Sequence, residues 1–250
     1  MTEFVKIDSI SKQYTSVHGN RVNALAEISF VIQSGEFITI VGPSGSGKST
    51  LLRMISGIDT PSVGRIKFCN GTSMPRIGFV FQANTIFPWR TIEGNLAYSL
   101  ELKGVNRDTR TSKAIELCQL IGLEPDVFLR KYPKELSGGE QRRVAIGMAL
   151  AHEANLLLLD EPTSQLDYAA KWNMQCTIQD LWAKQKFTAV LVTHDIDEAI
   201  FLGDQVLVLN NGNKKATLKI DLPRPREDSL RTSDIFNSYR KQIMECQGFV

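Results

Sequence analysis

FITIVGPSGSGKST, Phe37 to Thr50, decides the fold. Its first five residues are apolar and rich in β-branched side chains, with the length of a buried strand. They run straight into G-x-x-x-x-G-K-S over Gly42 to Ser49, and a helix is predicted from Ser49 to Ile58, bracketed by Gly57 and Pro61. Strand, glycine loop and helix in that order make a phosphate-binding loop. Gly42, Pro43, Ser44, Gly45, Ser46 and Gly47 let backbone N–H groups wrap a phosphate chain without Cβ clashes. Lys48 is placed to reach the β and γ phosphates, Ser49 to hold Mg²⁺ by its hydroxyl, and Thr50 to assist through its N–H and hydroxyl.

Outward from this loop the chain changes texture twice. FVKIDSIS and ALAEISFVIQ, before the loop, read as strands around the polar stretch TSVHGNRVN. RIGFVFQ, Arg76 to Gln82, reads as a short strand. From Ala83 to Ala151 helical spacing takes over, as at Ala114, Leu117, Cys118 and Ile121. LLLLD (156–160), TAVLVTHD (188–195) and DQVLVLNNG (204–212) follow as strands. The first two are continuous apolar runs, as in parallel strands covered on both faces, and they alternate with helical stretches. A Pro/Arg-rich turn, PRPRED, reads as an exposed polyproline turn before a short helix near Ser233 to Met244.

Composition narrows the class. A net charge of +2 over 250 residues gives no reason to expect nucleic acid as a partner. No apolar run approaches the ~18 residues of a spanning helix, and MTEFVKIDSI lacks a basic-then-apolar leader. The expectation is a chain that neither enters nor crosses a membrane by itself. Cys69, Cys118, Cys176 and Cys246 are too scattered for a metal site or disulfide framework. They are expected to be mostly buried fillers in a reducing, cytoplasmic setting.

Phosphate chemistry needs a carboxylate beside the metal, and LLLLDE supplies two. Asp160 ends the apolar run, where it can contact the Mg²⁺ shell, and Glu161 can polarise an attacking water. Two polar residues end other strands. Gln82 suits Mg²⁺ or water, and His194 suits the γ-phosphate or the orienting of Glu161, at the strand ends where open α/β sheets bind ligands. Each also fits a plain hydrogen-bonded strand terminus. His18 and His152 have no such setting and read as structural or solvent-facing.

LSGGEQRR, Leu136 to Arg143, is a second anion-gripping loop, small residues opening a helix. It also fits a capping box, with Ser137 as cap and Glu140 as reciprocal partner. In order, GPSGSGKST, FQ, LSGGEQRR, LLLLDEPTSQLD and VTHD resemble the ATP-binding cassette of ABC transporters over about residues 3–225. LSGGEQ discriminates, because other phosphate-loop proteins do not place it some twenty residues before the acidic pair.

The resemblance implies an α/β fold: a P-loop NTPase (RecA-like) core with a mostly parallel sheet, an N-terminal antiparallel β subdomain and an inserted α-helical subdomain. It implies an ATPase domain over 1–225, with 83–151 as the insert, and a helical extension over 226–250. ATP and Mg²⁺ are the implied cofactors. Two cassettes would pair head to tail, so that Ser137, Gly138, Gly139 and Glu140 of one meet the γ-phosphate held by Lys48 of the other. By the same resemblance Tyr14 stacks on adenine, although its position also fits a locally packed strand-edge aromatic. Gln82 senses the γ-phosphate. Ser49, Gln82 and Asp160 hold the metal, Glu161 is the catalytic base, and His194 is the switch histidine. Ser164 and Asp167 belong to the dimer-contact loop, usually S-A-L-D, here S-Q-L-D with a bulkier Gln165.

FPWRTIEGNL places Phe87, Pro88 and Trp89 in an apolar loop. In the family this region meets a membrane subunit, although Trp89 could also simply cap the helical insert. With DLPRPR it makes the chain most similar to nitrate/sulfonate/taurine importer cassettes. The implied partners are a second cassette, transmembrane permease subunits and a substrate-binding protein, at the cytoplasmic face of a bacterial inner membrane. Three other readings fit less well. A chromosome-type ATPase needs a coiled coil, a tandem-cassette translation factor needs a second phosphate loop, and a non-hydrolysing binder would not keep Glu161 and His194.

Overall fold

β3 (Phe37–Val41), the strand from which the glycine loop hangs, is buried at all five positions. It pairs in parallel with β7 (Thr188–Thr193) on one side and β8 (Gln205–Asn210) on the other. Strands paired on both edges and covered on both faces have no solvent side, so FITIV and TAVLVT show no polar alternation. The computed structural model describes residues 2–15, 20–69, 74–83 and 85–248. They fall into two compact units, one built from 1–75 and 188–250, the other from 76–187. His18 and part of the TSVHGNRVN stretch lie outside the described residues.

In the first unit β1 (Glu3–Thr15) pairs antiparallel with β2 (Arg21–Gln33) and with β4 (Val63–Phe68), giving the order β2-β1-β4. Val5, Ile7, Ile10, Ile28 and Ile32 face its core, each no more than 2 % exposed. Each such side chain contributes about 1.5–3 kcal/mol of burial. Helix α1 (Lys48–Ile55) follows the glycine loop and buries Leu51, Leu52 and Ile55. It stops three residues earlier than the spacing predicts. Gly57 turns left-handed at φ +78°, and its N–H bonds back to Met54 O, which closes the helix end. α8 (Ile196–Leu202) follows β7, and β9 (Asn213–Lys219) returns antiparallel on β8. The last helix, α9 (Asp234–Gln247), is capped by the Ser233 hydroxyl and buries Phe236 and Ile243.

The second unit holds a parallel pair, β5 (Ile77–Val80) and β6 (Leu156–Asp160). Between them run α2 (Ile92–Leu96), α3 (Tyr98–Leu102), α4 (Arg107–Leu120), α5 (Pro125–Phe128) and α6 (Gly138–Leu150). α7 (Tyr168–Gln185) follows β6. The long helix α6 packs on β5, α2, α4 and α7, burying Val144 and Ile146 completely.

Three further sequence expectations change here. RIGFVFQ is a strand only to Val80, because the Phe81 carbonyl takes a hydrogen bond from Arg142 Nη1 at 2.9 Å rather than from a neighbouring strand. Gln82 therefore sits in a loop two residues past the strand. The cysteines are not mostly buried: Cys118 is, whereas Cys69 is exposed and Cys176 and Cys246 are intermediate. PRPR is only partly an exposed turn: Pro223 and Pro225 are exposed, but Arg226 is only 3 % exposed and donates to the carbonyls of Ile200, Phe201 and Gly203. Those carbonyls lie at the end of α8, where a helix has acceptors and no donors of its own.

Candidate functional site

In the first unit the phosphate loop is shaped by close approach. A Cβ on Gly42 would lie 2.1 Å from Leu209 O and 2.7 Å from Ser46 Oγ. Gly47, the cap of α1, has φ +93°, and a Cβ there would meet Ala24 O and Leu25 at 2.5 Å. Only glycine fits both positions. No side chain caps α1, so its first N–H groups face outward. Lys48 is buried and its Nζ donates to Gly42 O at 2.8 Å and Pro43 O at 3.0 Å. The buried Ser46 hydroxyl has no partner among the described residues. An uncapped helix start, an ammonium and an unpartnered hydroxyl around a loop too tight for a Cβ together suit a phosphate chain. Ser44 and Gly45 are exposed, and Ser49 and Thr50 are half-buried at the helix start.

Tyr14, on β1, donates its hydroxyl to Asp59 Oδ2 at 2.6 Å, and Lys12 pairs with the other oxygen. Burial, then Asp59, pushes the Tyr14 phenol up, while a hydrogen bond with the Thr50 side chain pulls it the other way. The Lys12 and Tyr14 bonds hold Asp59 below the usual carboxylate range. The ring remains 40 % exposed. Neither Lys12 nor Asp59 was legible as part of this cluster, because their pairing depends on the β1–β4 topology. His194 is the exposed first residue after β7, and Asp195 caps α8 directly behind it.

In the second unit Asp160 is 4 % exposed at the end of β6. Glu161 follows in a left-handed conformation, φ +47°, uncommon for a residue with a side chain. Its carbonyl is fixed by the Ser164 N–H at 3.1 Å and the Ser164 hydroxyl at 2.9 Å. Gln82 Nε2 donates to Glu161 Oε2 at 3.1 Å. This joins a residue predicted to sense phosphate to the predicted base.

A concavity of about 410 Å³ is lined by Gln82, Ala83, Gly138, Arg142, Ser164, Gln165 and Leu166. It brings together residues from three separate motifs. Gln165, also left-handed at φ +65°, sits where the family writes Ala. Asp167 Oδ1 caps α7 through Ala170 N at 2.9 Å. Arg142, whose pKa is lowered by burial, was not singled out from the sequence. Its motif position is visible, but its bond to Phe81 is not.

The signature loop is a complete capping box. Ser137 Oγ accepts from Glu140 N at 3.3 Å, and Glu140 Oε2 accepts from Ser137 N at 2.7 Å and from its hydroxyl at 2.8 Å. Burial raises the Glu140 pKa, but these bonds and the charges of Arg143 and Lys131 outweigh it and leave it lowered. Gly138 and Gly139 open α6, and a Cβ on either would make only ordinary contact, with Leu166 at 4.0 Å and Ala170 at 3.7 Å.

The Phe87–Trp89 loop is built to present one ring. Phe87 packs edge-on against Tyr98 at 4.6 Å, while Trp89 is 72 % exposed. Buried Asn95 ties the loop, accepting from Phe87 N and donating to the carbonyls of Phe87, Arg90 and Thr91. His152, the other described histidine, is half-buried with Nε2 3.1 Å from Ile77 O, a structural contact.

A family model described as ABC transporter matches residues 25–164. The chain belongs to the ABC transporter family. It is 42 % identical to an uncharacterised ABC transporter ATP-binding protein of Methanocaldococcus jannaschii, over 96 % of this chain and 90 % of that protein. It is 39 % identical to the aliphatic sulfonates import ATP-binding protein SsuB of Bacillus licheniformis, over 90 % and 87 % respectively. A dimeric ATP-binding cassette solved in a post-hydrolysis state with ADP and Pi superposes with a TM-score of 0.76. It is 32 % identical, and the match covers 88 % of this chain and all of that one. This ABC cassette is thus an ATP-binding, ATP-hydrolysing transport subunit with the P-loop NTPase fold. Among the described residues no helix is long and apolar enough to cross a membrane.

Proposed function

We propose that this cassette powers import of a small anion through separate permease subunits, as a head-to-tail pair at the cytoplasmic face of a bacterial inner membrane. The import name of its sulfonate relative supports direction and substrate class. The dimeric form of its solved neighbour supports pairing. We read 1–225 as the cassette, 83–151 as its helical insert and 226–250 as an extension. A substrate-binding protein completes the assembly.

The residue roles are those that the family resemblance implies, supported where the chemistry of the side chains fits them. Lys48, Ser49, Thr50 and the Gly42–Gly47 backbone hold the phosphates of ATP, and Tyr14 offers its exposed ring to the base. We read Ser49, Gln82 and Asp160 as the oxygen donors that would hold Mg²⁺; Gln82 spends its nitrogen on Glu161 and keeps its oxygen. Mg²⁺ held by them would supply charge neutralisation at the phosphate oxygens. Glu161 takes the proton of the attacking water, and the Gln82 amide fixes the carboxylate's direction. His194 contacts the γ-phosphate or orients Glu161. Ser137, Gly138, Gly139 and Glu140 close over the partner's nucleotide, with Ser164 and Asp167 at the dimer contact. Trp89 meets the permease.

The Gln82–Glu161 bond carries this reading, because it ties the loop after β5 to the proposed base through one defined contact. Glu161→Gln is the test. It is expected to bind ATP, lose roughly 10²–10⁴-fold in turnover and accumulate as a dimer. Turnover at the parent rate would remove Glu161 from the role.

A further inference from the structure

α8 has seven residues, too few to hold a fixed place by its own backbone bonds. His194 precedes its cap, Asp195, and the residues on either side of His194 are tied to each other and to the helix start. Asp195 N donates to Thr193 Oγ1 at 3.0 Å, and Asp195 Oδ1 accepts from Asp197 N at 2.8 Å and Glu198 N at 3.1 Å. Where α8 begins therefore decides where His194 stands.

The C-terminal segment grips both ends of this helix. In its first turn Asp197 receives a two-pronged fork from Arg240 of α9, Nε to Oδ1 at 2.7 Å and Nη2 to Oδ2 at 2.9 Å. The Asp197 bonds, with the charges of Asp197 and Asp195, hold the Arg240 guanidinium above its ordinary value. Arg240 lies 5.4 Å over the ring of Phe236, itself fully buried. At the far end Arg226 Nη1 donates to Ile200 O, Phe201 O and Gly203 O at 2.8, 3.1 and 2.7 Å. Arg224 Nη2 adds Leu202 O at 2.6 Å and Asp204 Oδ1 at 2.8 Å. α9 is itself seated, with Ile243 fully buried and Gln247 O accepting from Asn210 Nδ2 at 3.0 Å. A segment that only filled a gap would need apolar contacts. This one also sends three guanidinium groups to the two termini and flank of a single short helix.

We propose that residues 224–247 form a clamp that positions His194 for ATP hydrolysis, with Arg240 as the positioning residue at the His194 end. The clamp rests on the reading of His194 as a group that meets phosphate or Glu161. Arg240 touches neither; it acts through Asp197 and the start of α8.

The test is a double-mutant cycle in ATP hydrolysis with the full chain, run below each variant's unfolding midpoint. Arg240→Ala is expected to lower kcat about ten- to a hundredfold, the scale of a misplacement transmitted from outside the chemistry. KM for ATP stays within about twofold, because phosphate binding is left intact. Arg240→Lys restores part of the loss, and Asp197→Asn, which keeps the shape of the partner, moves kcat the same way. In a His194→Ala background Arg240→Ala has no further effect. A parental kcat in Arg240→Ala overturns the clamp, as does an undiminished loss in the double variant. A parental kcat in His194→Ala overturns the catalytic reading of His194 itself, a different failure from loss in His194→Ala with none in Arg240→Ala.

Discussion

Replacing Ser137 separates what the signature loop does for its own helix from what it does for a second cassette. Alanine removes the hydroxyl that accepts from Glu140 N at 3.3 Å, a long bond, but leaves Ser137 N on Glu140 Oε2 at 2.7 Å. Half of the box survives, so the loss falls in the lower part of the capping range, about 0.5–1 kcal/mol. For a chain of this size that is about 1–4 °C in unfolding midpoint. α6 stays formed, because Val144 and Ile146 remain buried. Ser137→Arg instead fills the space in front of the Gly138 and Gly139 N–H groups. Its hydrolysis is expected to fall at least about a hundredfold, the scale of losing one preorganised donor to a developing anion. ATP binding is retained, because Lys48 and its loop belong to the other unit. Thermal unfolding, nucleotide binding and phosphate release on both variants decide the matter. Retained hydrolysis in Ser137→Arg would refute the reasoning and reduce LSGGEQRR to a helix cap.

Two further outcomes are expected. Asp59 is held low by Lys12 and Tyr14, so its stabilisation is complete above the unfolded carboxylate value and disappears as pH falls through the folded one. The unfolding midpoints of parent and Asp59→Asn should therefore converge in acid and separate towards neutral pH; a constant gap would contradict the assignment. Trp89→Ala, at a ring already 72 % exposed, should change stability by no more than about 0.5 kcal/mol. It should keep nucleotide binding while losing transport in a reconstituted system. Unchanged transport would remove Trp89 from the permease contact.

How legible each part was depended on how local its cause is. The glycine loop announced itself because a strand, two glycines without room for a Cβ and a helix start are adjacent in sequence. β3, β6 and β7 were legible because burial on both faces leaves an apolar run. β4 and β9 were not, since VGRIKF and NKKATLK are mostly polar or interrupted and are held by pairing with distant strands. Arg226 read as surface for a similar reason. Its burial is set by α8 carbonyls more than twenty residues earlier, and no local pattern records them. The Lys12–Asp59–Tyr14 cluster and the Arg142–Phe81 bond are likewise made by topology rather than by spacing.

That last bond has a mechanical side. Arg142 lies one turn along the helix that opens at the signature glycines, and the carbonyl it holds is the one just before Gln82. A buried guanidinium at 2.9 Å is a stiff link, so the start of α6 and the Gln82 loop travel together. If the proposed head-to-tail pairing holds, a second cassette arriving at Gly138 would press on the same helix start that Arg142 ties to the residue before Gln82, whose amide holds Glu161.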